Sequence, residues 1–358
     1  MRGRVAELRE YGRPVEITEY EVPAPEPGGL VVKVEQAAIC GSDLHIWRGE
    51  TATSPVSPSR LGFGHEGFGR VVALGSGSRT DDAGVPLAEG DRVIHHVMAS
   101  HVGRGPDPNT QREYGQHPYF HSTFADFYYI GATRPVFRVP DELADDVLPP
   151  VNCAMGAAVS ALLAGGTTFG SKVIIFGAGG LGLTAAAIAK DMGAECVIVV
   201  DRIAARLDLA RRFGADICLD TSEVTAVADR VDFVKEQTGG RGVDVAVEVA
   251  GRAELLPEGM EMLARYGTFV EVGLFYPGPT APLDPSVVLS GRKRIVGSAG
   301  YSPDLLPRIL QFLVRAQDRY PFADMVSHRF TLAKINEALA ASDWTRGGPP
   351  VTRAVLTP

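Results

Sequence analysis

SKVIIFGAGGLGLTAAAIAKDMGAECVIVVD, Ser171 to Asp201, is the stretch whose reading decides the fold. A β-branched apolar run, Val173 to Phe176, meets Gly177-Ala178-Gly179-Gly180-Leu181-Gly182. An alanine-rich helical segment follows to Met192, and a second apolar run, Val197 to Val200, ends in Asp201. Strand, glycine turn, helix, strand and acid each have a part in holding a dinucleotide. Gly177 makes the tight turn, Gly179 lets backbone amides approach a pyrophosphate, and Gly182 lets the helix pack on the strand. The free N–H groups of the helix start, with Gly180 among them, face the phosphates. Asp201 follows the first glycine by 24 residues (201 − 177) and suits a ribose diol. The uncharged run from Val173 to Ala189 is only 17 residues long and holds four glycines, which excludes a membrane span.

The 358 residues exceed one ordinary core and predict two domains. A formal charge of −8 and a pI near 5.6 exclude nucleic acid and an anionic membrane as main partners. The N-terminal MRGRVAELRE lacks an apolar signal core, so a cytoplasmic protein is expected. Four scattered cysteines argue against a disulfide framework. Cys196 and Cys218, inside apolar runs, are expected as small core residues.

Residues 1 to about 150 carry short alternating runs (Val15–Val22, Val31–Ala38, Gly67–Leu74, Asp91–Val97, Phe124–Ile130) between Gly, Pro and Asp clusters, a β-rich domain. Ala154–Leu163 is a helical connector, and strand–helix alternation follows with further strands near Ile217, Val243–Val249, Thr268–Val272 and Arg294–Val296. Six strands with helices between them predict an α/β, doubly wound parallel sheet. Ser302-Pro303 reads as a helix start. The tail from Phe330 predicts a helix and a closing strand, Thr352–Leu356.

Two places in the first domain concentrate reactive groups: Cys40-Gly41-Ser42-Asp43-Leu44-His45 and Gly64-His65-Glu66-Gly67. With Cys153 at the domain junction they offer two thiolates and an imidazole, a three-ligand set with an open fourth position, as a catalytic zinc needs. Separations of 25 and 88 residues (65 − 40, 153 − 65) match no local zinc motif, so the residues alone leave a structural explanation open.

CGSDLHIW, GHEG, the NCA at 152–154 and GAGGLG, in this order, resemble the zinc-dependent medium-chain alcohol dehydrogenases nearly end to end. The resemblance implies a GroES-like catalytic domain, 1–153 with 299–358, around a Rossmann NAD-binding domain, 154–298. It implies zinc ligands Cys40, His65 and Cys153, with Glu66 a carboxylate able to approach the metal. Asp43 would fix the tautomer of His65, and Ser42 and His45 would relay the substrate proton. On the coenzyme side it implies Gly177, Gly179, Gly180, Leu181, Gly182, Asp201, Arg202, Arg206, Val272, Leu274 and Ser298, with Arg353 on the pyrophosphate. Trp47, Phe63, Val97 and Phe124 would border the substrate, with Phe275 nearby.

The chain has no cysteine between Val93 and Phe124, where many members of that family carry four on a second, structural zinc. One zinc is therefore expected. Five histidines lie in that segment instead (His95, His96, His101, His117, His121), in no recognised ligand spacing. The expected activity is hydride transfer between an alcohol, a secondary one by preference, and NAD, with NADP second because the Asp201 charge repels a 2′-phosphate. The alternatives are a zinc-independent quinone or enoyl reductase and a non-catalytic nucleotide-binding protein. A small-molecule substrate and a homodimer or homotetramer complete the expectation.

Overall fold

The computed structural model describes residues 1–50, 61–62, 64–77, 79–97, 119–274, 276–343 and 352–358. The first part of the chain forms β1 (Arg2–Leu8), β2 (Glu16–Glu21), β3 (Leu30–Ala38), helix α1 (Gly41–Arg48), β4 (Leu61–Gly62), β5 (Glu66–Leu74), β6 (Arg92–His95), β7 (Phe127–Ile130) and β8 (Val136–Arg138). The middle contributes β9 (Lys172–Phe176), β10 (Cys196–Asp201), β11 (Ile217–Asp220), β12 (Val243–Glu248), β13 (Leu263–Glu271) and β14 (Arg294–Gly297). β15 (His328–Thr331) and β16 (Ala354–Thr357) follow.

Two compact units result: Met1–Cys153 with Ser302–Asp318 and Phe322–Pro358, and Ala154–Tyr301 with Arg319–Pro321. Residues 299–301 and 319–321, expected with the first domain, group with the second. The physical reason is aromatic. Tyr301 lies so close over Gly156 that a Cβ there would meet its ring at 2.3 Å, and Tyr320 stacks on Phe213 at 6.4 Å.

The second unit is the α/β one. Its six strands run parallel in the order β11-β10-β9-β12-β13-β14, so the order reverses at β9, the strand that leads into the glycine turn. Val173 to Phe176 are all buried, as a parallel strand covered on both faces requires. Gly182 is forced by packing: a Cβ there would lie 1.8 Å from the Gly177 carbonyl oxygen.

The first unit is β-rich. A seven-stranded sheet runs β15-β16-β3-β5-β6-β8, with β7 also paired to β3, and β2-β1-β4 form a three-stranded sheet. β1 escaped the sequence reading because its charges interrupt the alternation. Glu7, buried in it, is accommodated by hydroxyls of Thr18 and Tyr20 that donate to its carboxylate at 2.8 and 2.6 Å. α1 escaped too, being eight residues that open with Gly, Ser and Asp. The helix expected at Ser302 starts at Leu305. Residues 302–304 form a turn, its Ser302 and Pro303 carbonyls accepting from Leu305 and Leu306. Cys196 and Cys218 are half-buried rather than core.

Candidate active site

Strand register explains why distant residues meet. β3 lies between β16 and β5, with Ala38 opposite both Val355 and Glu66. Continuing past Ala38 leads to Cys40, and stepping back from β5 and β16 leads to His65 and Arg353. Three segments therefore end at one edge of the sheet. Cys153 arrives on a π-helical turn, Val151–Met155, an irregularity frequent at functional sites.

The outcome is one group of donor atoms, from Cys40, His65, Glu66 and Cys153, all within 4.8 Å of one another. The two sulfurs are 3.9 Å apart, and His65 Nε2 is 3.2 Å from Cys153 Sγ. Tetrahedral zinc with its usual bond lengths separates two sulfurs by about 3.8 Å and sulfur from nitrogen by about 3.6 Å, so the set fits that ion. Glu66 Oε1 is buried and has no hydrogen-bond partner among the described residues, which leaves it able to face a cation.

Asp43 is wholly buried and works twice. Its Oδ2 accepts from the Cys40 amide at 2.9 Å, and its Oδ1 faces His65 Nδ1 at 3.2 Å. The second contact fixes Nε2 as the nitrogen turned toward the sulfurs. Burial weakens the His65 base, but the charge and hydrogen bond of Asp43, together with those of Cys40, outweigh it and raise its pKa well above the ordinary value. The Cys40 thiol is pushed well down by the hydrogen bond from Cys153, helped by His65 and Arg353, and Cys153 is pushed up by the same bond. A thiolate at Cys40 is the form a metal takes.

On α1, Ser42 is half-buried, and His45 is buried with Nδ1 2.5 Å from Glu50 Oε2. Phe124 is buried against the ligand loop, since a Cβ on Gly64 would touch its ring at 2.5 Å. Val97 is half-buried. His95 and His96 are buried, and His95 stacks on Tyr128 at 4.3 Å. His121 packs edge-on against Tyr129. Phe63, His101, His117 and Phe275 lie outside the described residues.

In the second unit, Gly177 has φ +106° and Gly179 has open space where a Cβ would be, as a backbone cradle needs. Asp201 accepts from the Ala178 amide at 2.7 Å and from those of Arg202 and Ile203, so it also ties the glycine turn to β10. Gly180 is buried at the helix start and Leu181 is half-buried there. Arg202 is exposed and Arg206 half-buried one turn on. Val272, Leu274 and Ser298 gather at the carboxyl ends of β13 and β14. Their amides donate to the Glu248 carbonyl, the Glu271 side chain and the Glu271 carbonyl at 3.1, 3.1 and 2.9 Å.

A profile of alcohol dehydrogenase GroES-like domains matches residues 26–144, and one of zinc-binding dehydrogenases matches 180–315. The chain is 33% identical over 346 residues to a 5-exo-hydroxycamphor dehydrogenase of Pseudomonas putida, covering 94% of each protein. It is 31% identical to an L-threonine 3-dehydrogenase of Saccharopolyspora erythraea, over 93% of this chain and 94% of the other. An alcohol dehydrogenase of Thermotoga maritima has the same structure at a TM-score of 0.87, with 26% identity and full coverage of both chains. The chain belongs to the zinc-dependent medium-chain dehydrogenase/reductase family. It is thereby an oxidoreductase acting on alcohols, with zinc and a nicotinamide dinucleotide as cofactors.

Set against this dehydrogenase site, two expectations change. Trp47 is core, not pocket wall: it is buried in the main cluster of the first unit, and its indole N–H donates to the Arg13 carbonyl at 2.8 Å. Arg353, expected on the pyrophosphate, is buried and ion-paired to Glu66, because the register of β16 delivers it to the cluster of Cys40, His65 and Glu66. Sequence reading missed Asn152, Thr123 and Glu248. An acid ending a buried parallel strand was a usable signal for Glu248. Thr123 carried none, because its partners are backbone atoms far along the chain, and Asn152 stood in the NCA stretch with nothing local to give it a role.

No helix among the described residues is long and apolar enough to cross a membrane.

Proposed function

We propose that the enzyme interconverts an apolar secondary alcohol and its ketone, with NAD rather than NADP as hydride acceptor, at a single zinc held by Cys40, His65 and Cys153. The observation that carries this reading is the convergence of two thiols and an imidazole within 4.8 Å, from segments 25 and 88 residues apart. Bound zinc supplies Lewis acidity toward a substrate oxygen and lowers the pKa of its hydroxyl. Asp43 keeps His65 oriented. Ser42 takes the alcohol proton and His45 passes it outward, with Glu50 steadying the imidazole as it charges. The half-buried side chain of Val97 favours an apolar substrate, in keeping with the hydroxycamphor relative. Asp201, at the end of β10, disfavours a 2′-phosphate. The enzyme works in the cytoplasm as a homodimer or homotetramer.

The test joins elemental analysis of the purified protein with oxidation rates for bulky apolar secondary alcohols, L-threonine and xylitol, using NAD and NADP. The expectation is close to one zinc per chain and fastest turnover of the bulky alcohols with NAD. Turnover without metal points to a zinc-independent reductase, and nucleotide binding without turnover to a sensor. Equal kcat/KM with both coenzymes removes the role given to Asp201. Cys153→Ala should bring zinc near zero. Full retention would move the third ligand to Glu66 or a histidine.

A further inference from the structure

We propose that Asn152 is a positioning residue of the metal centre, its carboxamide tying the His65 loop and the end of β6 to the turn that carries Cys153. This rests on the zinc site proposed above.

Asn152 is wholly buried one residue before Cys153. Its Oδ1 accepts from the Gly67 amide at 3.1 Å, and its Nδ2 donates to the carbonyls of His65 and His95 at 3.0 and 3.2 Å. Residues 65 and 67 flank Glu66, so the carboxamide pairs with that loop at two points, as a neighbouring strand would. The third bond adds β6. One side chain thus joins three segments, and two of them present ligands.

The loop's other backbone groups are held from elsewhere. Thr123 donates its amide to the Gly64 carbonyl and its hydroxyl to the Glu66 carbonyl, both at 3.0 Å. Thr123 therefore anchors the loop without reaching Cys153, whereas Asn152 sets His65 and Cys153 relative to each other. His65 Nε2 and Cys153 Sγ are 3.2 Å apart, and a shift of a few tenths of an ångström there alters coordination. The donor pattern is specific to an amide. An aspartate of the same shape would set a carboxylate oxygen against two carbonyl oxygens, and alanine would leave a buried N–H and two buried carbonyls without this partner.

The experiment compares wild type, Asn152→Ala, Asn152→Asp and Thr123→Val as full-length protein. Zinc affinity is measured by chelator competition, the visible absorption of the cobalt-substituted protein is recorded, and melting is followed with and without metal. Loss of such an outer partner weakens zinc binding on the order of 10–100-fold. Both Asn152 variants should show that loss together with shifted cobalt bands, and their melting temperature should fall further in the metal-loaded form than in the metal-free form. Thr123→Val should lower both melting temperatures alike and leave the cobalt bands in place. Asn152→Asp preserves side-chain volume and supplies the reading if the alanine variant does not fold. Folded Asn152 variants with wild-type zinc affinity and cobalt bands would overturn the inference alone. A wild-type protein that takes up no zinc would overturn the metal site beneath it.

Discussion

Arg353 and Glu66 stand 287 positions apart in the chain and form a buried ion pair. Arg353 Nε and Glu66 Oε1 have no hydrogen-bond partner among the described residues, so the pair is only partly compensated. Removing one partner of such a pair leaves a buried charge and typically costs about 3–5 kcal/mol. Arg353→Met should therefore lower the stability of the metal-free protein by that order in denaturant unfolding. Combining it with Glu66→Gln should recover much of the loss. A fully stable Arg353→Met would mean that Glu66 does not rely on the arginine charge. Nothing local in the sequence announced this pair, because it exists only through the pairing of β16 and β5 with β3.

The glycine turn and its helix give two contrasting expectations at the level of the element. Gly182→Ala drives a methyl into the Gly177 carbonyl, so it should lower the melting temperature as well as coenzyme affinity. Gly179→Ala meets open space, so the fold should tolerate it while NADH binding, followed by fluorescence titration, weakens. Equal stability losses would contradict this assignment of roles. At the far ends of β12 and β13, Glu248 and Glu271 lie side by side. Burial, together with the neighbouring Glu271 charge, pushes the Glu248 carboxyl up to about 8. Its proton is thus held in the folded state but not in the unfolded one between the ordinary carboxyl pKa and about 8. Stability present below that ordinary value is lost as pH rises through about 8, at a slope of up to ~1.4 kcal/mol per pH unit. Glu248→Gln should flatten the melting temperature between pH 5 and 8 (a window of roughly the linkage range). An unchanged slope would place the proton elsewhere.

The whole molecule is two units with separate cores, and every expected zinc ligand belongs to the first. Zinc bound there would tie Cys40 to Cys153 across 113 positions, and because the unfolded chain offers no preformed site its binding would stabilise the folded state. Stripping zinc should lower the melting temperature and speed amide exchange in residues 40–45, 64–67 and 151–155. An unchanged exchange pattern would argue that these segments are held without it. The Ser171–Asp201 stretch was legible by itself because its information is local: glycine positions, helical and strand periodicity, and an acid at fixed spacing all act within one supersecondary unit. The parallel order of the sheet followed from strand and helix alternation for the same reason. The expected metal ligands could be picked out as residue types within reactive clusters, but not as a set, since spacings of 25 and 88 encode no local geometry. Tertiary structure decided the rest. It turned Arg353 onto Glu66, put Trp47 in the core, and placed Asn152 across three segments, because hydrogen-bond pairing of distant strands and close packing are settled by all the segments together.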